Sequence, residues 1–373
     1  MSKKIGILTA GSYCPGLNAT IRGFGKAACN TYGMSLIGFH DGFQGLITDE
    51  TIVLDGDALS NILTAGGTIL GTSRLMPHKF ESADGIIDKT EDVLNTYHEH
   101  ELDGLLCIGG QETQEAALKL MKAGLNIITL PKSADNDVAK TDVTIGFDTA
   151  KNIAADAIDR LHSTADSNHR IIIVEIMGRE VGWLTLAAGI ASGADVILIP
   201  EIPYHIEKLS DAILKRNLAG KMFSIVAVSE GANSSELVAF FERSMRLNKK
   251  VHHDKSLEVG QERLTQLKKK YTGQTLLLAN RLEETTGLES RITILGYLLR
   301  GGAPSASDRV LATHFGTFAA HLMDKGQFGA MVAYQQGKVV CVPLEEVANK
   351  KKRVPMDHPW IESAREVGTV LGD

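Results

Sequence analysis

Pro131-Lys132-Ser133-Ala134-Asp135-Asn136-Asp137 carries the densest chemistry in the chain. Two aspartates stand one residue apart, and a lysine lies three positions before the first. The apolar run Leu125 to Leu130 reads as a buried strand ahead of them, and Thr144-Ile145-Gly146-Phe147-Asp148 leads into a long helical pattern. The loop therefore falls at the carboxyl end of a strand, where open α/β sheets bind ligands. Carboxylate and ammonium on one loop suit a reaction in which a hydroxyl loses its proton beside a phosphate. Taken alone, the stretch also suits an Asx-rich turn that caps the next helix.

Other loops carry matching chemistry. Gly11-Ser12-Tyr13-Cys14-Pro15-Gly16 separates the strand Ile5–Thr9 from a helical pattern, an arrangement that aims backbone N–H groups at an anion. Neither GxxxxGK[ST] nor GxGxxG is present. Gly66-Gly67-Thr68-Ile69-Leu70-Gly71-Thr72-Ser73-Arg74 offers a backbone that can lie close to a ligand and a guanidinium that can fork onto phosphate oxygens. Gly109-Gly110-Gln111-Glu112-Thr113 follows the strand Gly104–Ile108, Met177-Gly178-Arg179 follows Ile171–Val174, and Ser229-Glu230-Gly231 follows Phe223–Val228.

These loops need scaffolding. Strand, small-residue loop and helix recur at least five times, which predicts an α/β fold with parallel sheets and helices on both faces. Further strands are expected at Ser35–Phe39, Asp195–Ile199, Arg291–Leu295, Ala330–Tyr334 and Lys338–Val342. The stretch 234–287 is charged, holds Lys249-Lys250 and Lys268-Lys269-Lys270, and reads as a helical surface insertion with solvated faces.

A chain of 373 residues suits two domains, and 43% apolar with 23% charged residues is the composition of a globular protein. A net charge of −6 argues against nucleic acid as a partner, and no apolar run approaches a membrane span. Cys14, Cys29, Cys107 and Cys341 lack metal-ligand spacing, and the first residues enter a strand pattern at once; reduced thiols and a cytoplasmic location are the expectation.

Taken together, the loops resemble the phosphofructokinase family from Lys4 to about Arg309. Its PGxN turn corresponds to Cys14-Pro15-Gly16-Leu17-Asn18, its GTxR-like loop to Gly71-Thr72-Ser73-Arg74, and its TIDND loop to Ser133-Ala134-Asp135-Asn136-Asp137. Its MGR loop corresponds to Met177-Gly178-Arg179 and its GHxQRGG segment to Gly296-Tyr297-Leu298-Leu299-Arg300-Gly301-Gly302. The resemblance implies two Rossmann-like domains with the active site in the cleft between them. Residues 1–146 with 299–350 would bind the phosphoryl donor, and 147–298 with 351–373 the sugar phosphate.

By the same resemblance Asp135 is the general base for the 1-hydroxyl of fructose 6-phosphate, and Arg179 reaches the transferring phosphoryl group. Ser133, Met177, Gly178 and Glu230 hold the sugar, and Asp137 assists through Mg²⁺ or by orienting the loop. Arg170, Arg291 and Arg300 grip the 6-phosphate, with Tyr297 where many relatives have histidine. Two of these arginines, Arg170 and Arg291, come from a neighbouring subunit in the family, which implies a homodimer or homotetramer. Gly11, Arg74, Gln111, Glu112 and Lys132 face the donor.

The donor expected from these residues is pyrophosphate. The ATP-using branch carries GGDGS, whose small glycine leaves room for an α-phosphate, whereas Glu112 puts a carboxylate there. Lys132 matches the lysine of the pyrophosphate branch's PKTIDND loop and is a point charge suited to a terminal phosphate. Gln111 stands where the family has a metal-binding acid, and a neutral amide is a poor Mg²⁺ ligand. Ser12-Tyr13 replaces Gly-Asp. The alternatives are an ATP-dependent 6-phosphofructokinase and a non-catalytic paralogue that binds sugar phosphate.

Overall fold

The computed structural model describes residues 2–82, 85–251 and 273–373. The chain forms two compact units, Met1–Ala150 with Tyr297–Lys352 and Lys151–Gly296 with Arg353–Asp373.

In the first unit, β1 (Lys4–Ala10), α1 (Leu17–Tyr32), β2 (Ser35–Phe39), α2 (Phe43–Thr48) and β3 (Thr51–Val53) precede a small hairpin, β4 (Phe80–Ser82) and β5 (Gly85–Ile87). Next come α3 (Thr90–Glu99), β6 (Gly104–Gly109), α4 (Gln111–Lys122), β7 (Ile127–Pro131) and the first turn of α5 (Phe147–Asn168). The second unit contributes β8 (Ile171–Ile176), α6 (Trp183–Ala191), β9 (Val196–Leu198), α7 (Ile206–Leu218), β10 (Ser224–Ser229), α8 (Ser235–Val251), α9 (Gln274–Thr286) and β11 (Ser290–Ile294). The chain returns to the first unit for α10 (Ala306–Asp324), β12 (Ala330–Gln335), β13 (Lys338–Pro343) and α11 (Leu344–Val347), and α12 (Pro359–Glu366) closes the second.

The first unit is built on a seven-stranded sheet in the order β13-β12-β7-β6-β1-β2-β3. Neighbours from β12 to β2 are parallel, and β13 and β3 add antiparallel edges. Alternation along the strands splits the core in two. Ile5, Ile7, Leu106 and Ile108 pack with Phe24 and Phe315 of α1 and α10, while Leu8, Ala10, Leu105 and Cys107 pack with Phe43, Val93 and Ala116 on the other face. Burial of both faces explains why β1 and β6 read as unbroken apolar runs rather than alternating ones. The short strands β3, β4 and β5 carry no such signal: their described residues are largely exposed, and the sequence pattern did not mark them.

Asp308, in the first turn of α10, ties this unit together at the base of the loops. Its buried carboxylate accepts from the N–H groups of Gly146 at 3.0 Å and Thr149 at 2.8 Å, while Ser305 caps its own helix by accepting from Asp308 N–H at 3.1 Å. Burial pushes the Asp308 carboxyl above its ordinary range, against those hydrogen bonds.

The second unit holds an all-parallel sheet of four strands, β11-β8-β10-β9. Ile171, Ile173, Val226 and Val228 pack against Leu209 and Ile213 of α7 and against Leu278, Ala279 and Leu282 of α9. Within 234–287, α9 is thus part of the core rather than a solvated face, because its apolar stripe closes over β8 and β11. Lys268-Lys269-Lys270 and the side chains of Lys249 and Lys250 lie outside the described residues.

Candidate active site

The sheet order of the first unit reverses at β1: the chain moves to β2 on one side and later to β6 and β7 on the other. The loops after β1, β6 and β7 diverge at that switch point, and such a crevice is where open sheets place ligands. A cavity of about 180 Å³ opens there. Gly11, Ser12 and Tyr13 line it from β1, Gly110, Gln111, Glu112 and Thr113 from β6, and Lys132, Ser133, Ala134, Asp135 and Asp137 from β7, together with Arg300 and Lys351.

Each wall has a local cause. Gly11 sits at φ 81°, and a Cβ there would lie 3.6 Å from Lys132 Nζ. The left-handed turn is what calls for glycine, since a side-chain carbon there would make only ordinary contact with the lysine. Gln111, Glu112 and Thr113 form the first turn of α4, whose unpaired N–H groups and dipole favour an anion in front of them. In the aspartate loop Ser133 Oγ accepts from Asp135 N–H at 3.2 Å and donates to Asp137 Oδ1 at 2.6 Å, which sets the spacing of the two aspartates.

Lys132 is 2% exposed and donates through Nζ to the carbonyl of Ser12. Burial drives its pKa down to about 8, reinforced by the positive charges of Arg300 and Arg74 and opposed by the Asp137 carboxylate. Burial raises the Cys14 thiol to about 12, so it stands beside Lys132 as an uncharged neighbour at neutral pH. Arg300 faces the cavity with a buried Nε that has no hydrogen-bond partner, and its guanidinium lies 5.8 Å from the Tyr297 ring centre. Arg74 is exposed and Tyr297 is 79% exposed; neither lines the cavity.

In the second unit Met177, Gly178, Arg179 and Glu230 come together at the carboxyl ends of β8 and β10. Gly178 has φ 140°, and a Cβ there would stand 2.5 Å from Ser229 Oγ and 2.7 Å from the Val181 carbonyl, so only glycine fits. Its own carbonyl accepts from Gly231 N–H at 3.1 Å. Arg179 Nε donates to Glu230 Oε1 at 2.9 Å although the arginine side chain is 82% exposed, a pairing that orients more than it stabilises.

Arg170 and Arg291 sit at the opposite edge of the same sheet, Arg170 just before β8 and Arg291 at the start of β11. Both donate to one carboxylate, Glu289, a residue that the motif comparison passed over. Arg291 pairs in register with Ile172 at the start of β8, whereas Met177 follows its end; six strand residues span roughly 20 Å.

Mg²⁺ is implied for the donor side. Among the described residues no three His, Cys, Asp or Glu side chains gather as a metal cage. Gln111 does offer a buried Oε1 without a hydrogen-bond partner, and Asp137 lines the same cavity. The fit to Mg²⁺ rests on Asp137, because Mg²⁺ sites take one or two carboxylates plus phosphate oxygens and water, and the Gln111 amide oxygen is the weaker donor.

The sequence comparison also missed Lys351 and Lys352. They lie far along the chain from any loop motif, and only pairing of that segment with the aspartate loop brings them in. Among the described residues no helix is long and apolar enough to cross a membrane, and all four cysteines are free thiols.

The family model described as Phosphofructokinase matches residues 4–323. The chain is 52% identical over 374 residues to the ATP-dependent 6-phosphofructokinase of Propionibacterium freudenreichii subsp. shermanii, with all of both chains covered. It is 48% identical to the ATP-dependent 6-phosphofructokinase of Spirochaeta thermophila, covering 100% of this chain and 98% of the relative. Among solved structures, the pyrophosphate-dependent phosphofructokinase from Marinobacter aquaeolei superposes with a TM-score of 0.76 at 22% identity, covering 99% of this chain and 88% of that one, a likeness of fold.

Proposed function

The chain belongs to the phosphofructokinase family, and from that premise we propose that it transfers the terminal phosphoryl group of ATP to the 1-hydroxyl of fructose 6-phosphate, in the cytoplasm. The observation that carries the chemistry is the cavity at the switch point, where Asp135 and Asp137 share a wall with Lys132, Arg300 and the first turn of α4. The donor is read differently from the expectation of pyrophosphate, because full-length relatives at 52% and 48% identity bear the name of ATP-dependent enzymes. Two residues weighed alone, Glu112 and Lys132, are a narrower basis than agreement along the whole chain.

In this reading Asp135 takes the proton of the 1-hydroxyl as its oxygen attacks the terminal phosphorus, and the donor's remaining phosphates leave opposite to it. Gly11, the first turn of α4, Lys132 and Arg74 receive the donor's charge, and Arg179 that of the transferring group. Mg²⁺, when bound, supplies positive charge to the donor phosphates; Gln111 Oε1 and Asp137 would hold it. Ser133, Met177, Gly178, Glu230 and Arg300, with Tyr297, serve the sugar phosphate. We assign the donor to the first unit and the sugar contacts of Met177, Gly178 and Glu230 to the second.

The roughly 20 Å between Arg170 or Arg291 and the Met177 end of β8 is too long for one small sugar phosphate to bridge. We therefore assign these two arginines to the site of a second copy in a homodimer or homotetramer. Pyrophosphate is retained as a second reading on the strength of Glu112, whose carboxylate lines the cavity. Assaying fructose 1,6-bisphosphate formation with each donor and Mg²⁺ separates them: turnover with ATP is expected, turnover with pyrophosphate alone establishes the second reading, and none with either leaves a binding paralogue.

A further inference from the structure

Lys352 lies outside every loop motif, yet it is built into the back of the aspartate loop. Val138 and Lys351 pair as an antiparallel bridge, and Lys352 N–H donates to the Asp137 carbonyl at 2.9 Å. Consecutive residues of an extended segment face opposite ways. Lys351 lines the cavity, and Lys352 turns into the 136–142 stretch behind it.

There the ammonium meets Asn136 Oδ1 at 2.8 Å, the Thr141 carbonyl at 2.8 Å and the Asp142 carbonyl at 2.9 Å. An ammonium has three hydrogens and no acceptor, so these contacts use its capacity fully. One of the three, Asn136, ties the contacts to the aspartate loop. Its Oδ1 also accepts from Thr144 N–H at 3.1 Å, and its Nδ2 donates to the Asp142 carbonyl at 3.2 Å. Asn136 is 3% exposed with φ 54°, a left-handed conformation between the two aspartates that its surroundings must hold.

We propose that Lys352 is a positioning residue for phosphoryl transfer: it touches no substrate, and by anchoring Asn136 it sets where Asp135 and Asp137 stand in the cavity wall. The proposal rests on the reading of Asp135 as the base. A misplacement of about 1 Å at a reacting group can cost roughly 100-fold in rate, which gives an anchor of this kind a kinetic signature.

The test is Lys352→Ala, followed by steady-state kinetics with ATP and fructose 6-phosphate and by backbone hydrogen exchange across 133–145. Expected are faster exchange in that loop, a kcat lower by roughly 100-fold, and KM values for both substrates within about threefold of wild type. Added ethylammonium should restore part of kcat by refilling the vacated ammonium position. A folded variant with unchanged exchange, with kcat within about twofold of wild type, or with its loss confined to KM overturns the proposal. Should Lys352→Ala not fold, Lys352→Arg, which keeps the charge but not the compact tripod of donors, reads the same quantities. Loss of the fold in both would assign Lys352 to stability alone and overturn the positioning role. A wild-type protein without turnover is a distinct failure, because it removes the function while the exchange measurement still reports on the anchor.

Discussion

Lys132 donates its Nζ hydrogen to the carbonyl of Ser12, and this contact joins the aspartate loop after β7 to the glycine turn after β1. The two segments are 120 residues apart in sequence. They meet because β6 alone separates their strands in the sheet. A bound donor phosphate would offer this ammonium a charged acceptor in place of a neutral carbonyl, adding ion-pair attraction where the lysine is buried.

The titration of Lys132 follows from its burial. Its pKa in the folded chain is about 8 against an ordinary value of 10.5. Between those values the unfolded chain binds more protons, so this group's penalty on folding is fully present below about 8 and is relieved as pH rises toward 10.5. Melting temperatures of wild type and Lys132→Met, measured across that range, should converge with rising pH as the wild type loses its penalty. In kinetics the donor's KM should rise above about pH 8 in wild type, where the ammonium is lost, and not in the variant.

Asp135→Asn removes the proposed base and keeps the shape. A general base contributes typically about 10²- to 10⁴-fold, so kcat should fall by that order while fructose 6-phosphate binding, measured by calorimetry, persists. An unchanged kcat would transfer the role to another group.

Glu112→Gly tests the donor. If ATP is the natural donor, the cavity already accepts it, and KM for ATP should change by no more than about twofold. A tenfold or larger gain in ATP use, on the order of 1.4 kcal/mol, would favour the pyrophosphate reading.

Glu289 occupies both Arg170 and Arg291, and in the proposed assembly a substrate phosphate would compete with it. Glu289→Gln should lower KM for fructose 6-phosphate by up to about fivefold, the equivalent of the roughly 0.2–1 kcal/mol of an exposed ion pair. A rise in KM would instead make Glu289 the group that pre-aligns the two arginines.

Asp308→Ala leaves the N–H groups of Gly146 and Thr149 buried without their acceptor. A loss of about 3 kcal/mol is expected in urea unfolding, with a lower midpoint and an unchanged slope.

Much of the scaffold was legible from residue order. Fully buried parallel strands must be apolar throughout, and the loops at their ends must be small or polar, so Lys4–Ala10, Gly104–Gly109, Ile171–Ile176 and Ser224–Ser229 announced themselves. The loop motifs also identified most of the cavity lining, since a motif is a local record of which backbone lies near a ligand. The edge strand Thr51–Val53 and the hairpin Phe80–Ser82 with Gly85–Ile87 were silent, because exposed short strands are held by pairing rather than by an apolar pattern. Charge misled at α9, because the lysine runs before it in 234–287 hid the stripe of Leu278, Ala279 and Leu282.

Sequence alone determined which side chains are present and which strand each follows, because those depend on near neighbours. Tertiary structure alone decided that Arg300 and Lys351 face Asp135's cavity, that Lys352 plugs the turn behind it, and that one glutamate holds both Arg170 and Arg291. Lys352 and Asn136 lie 216 positions apart, and no local spacing encodes such a contact. It exists only once the sheet has closed and the returning chain is paired against Val138.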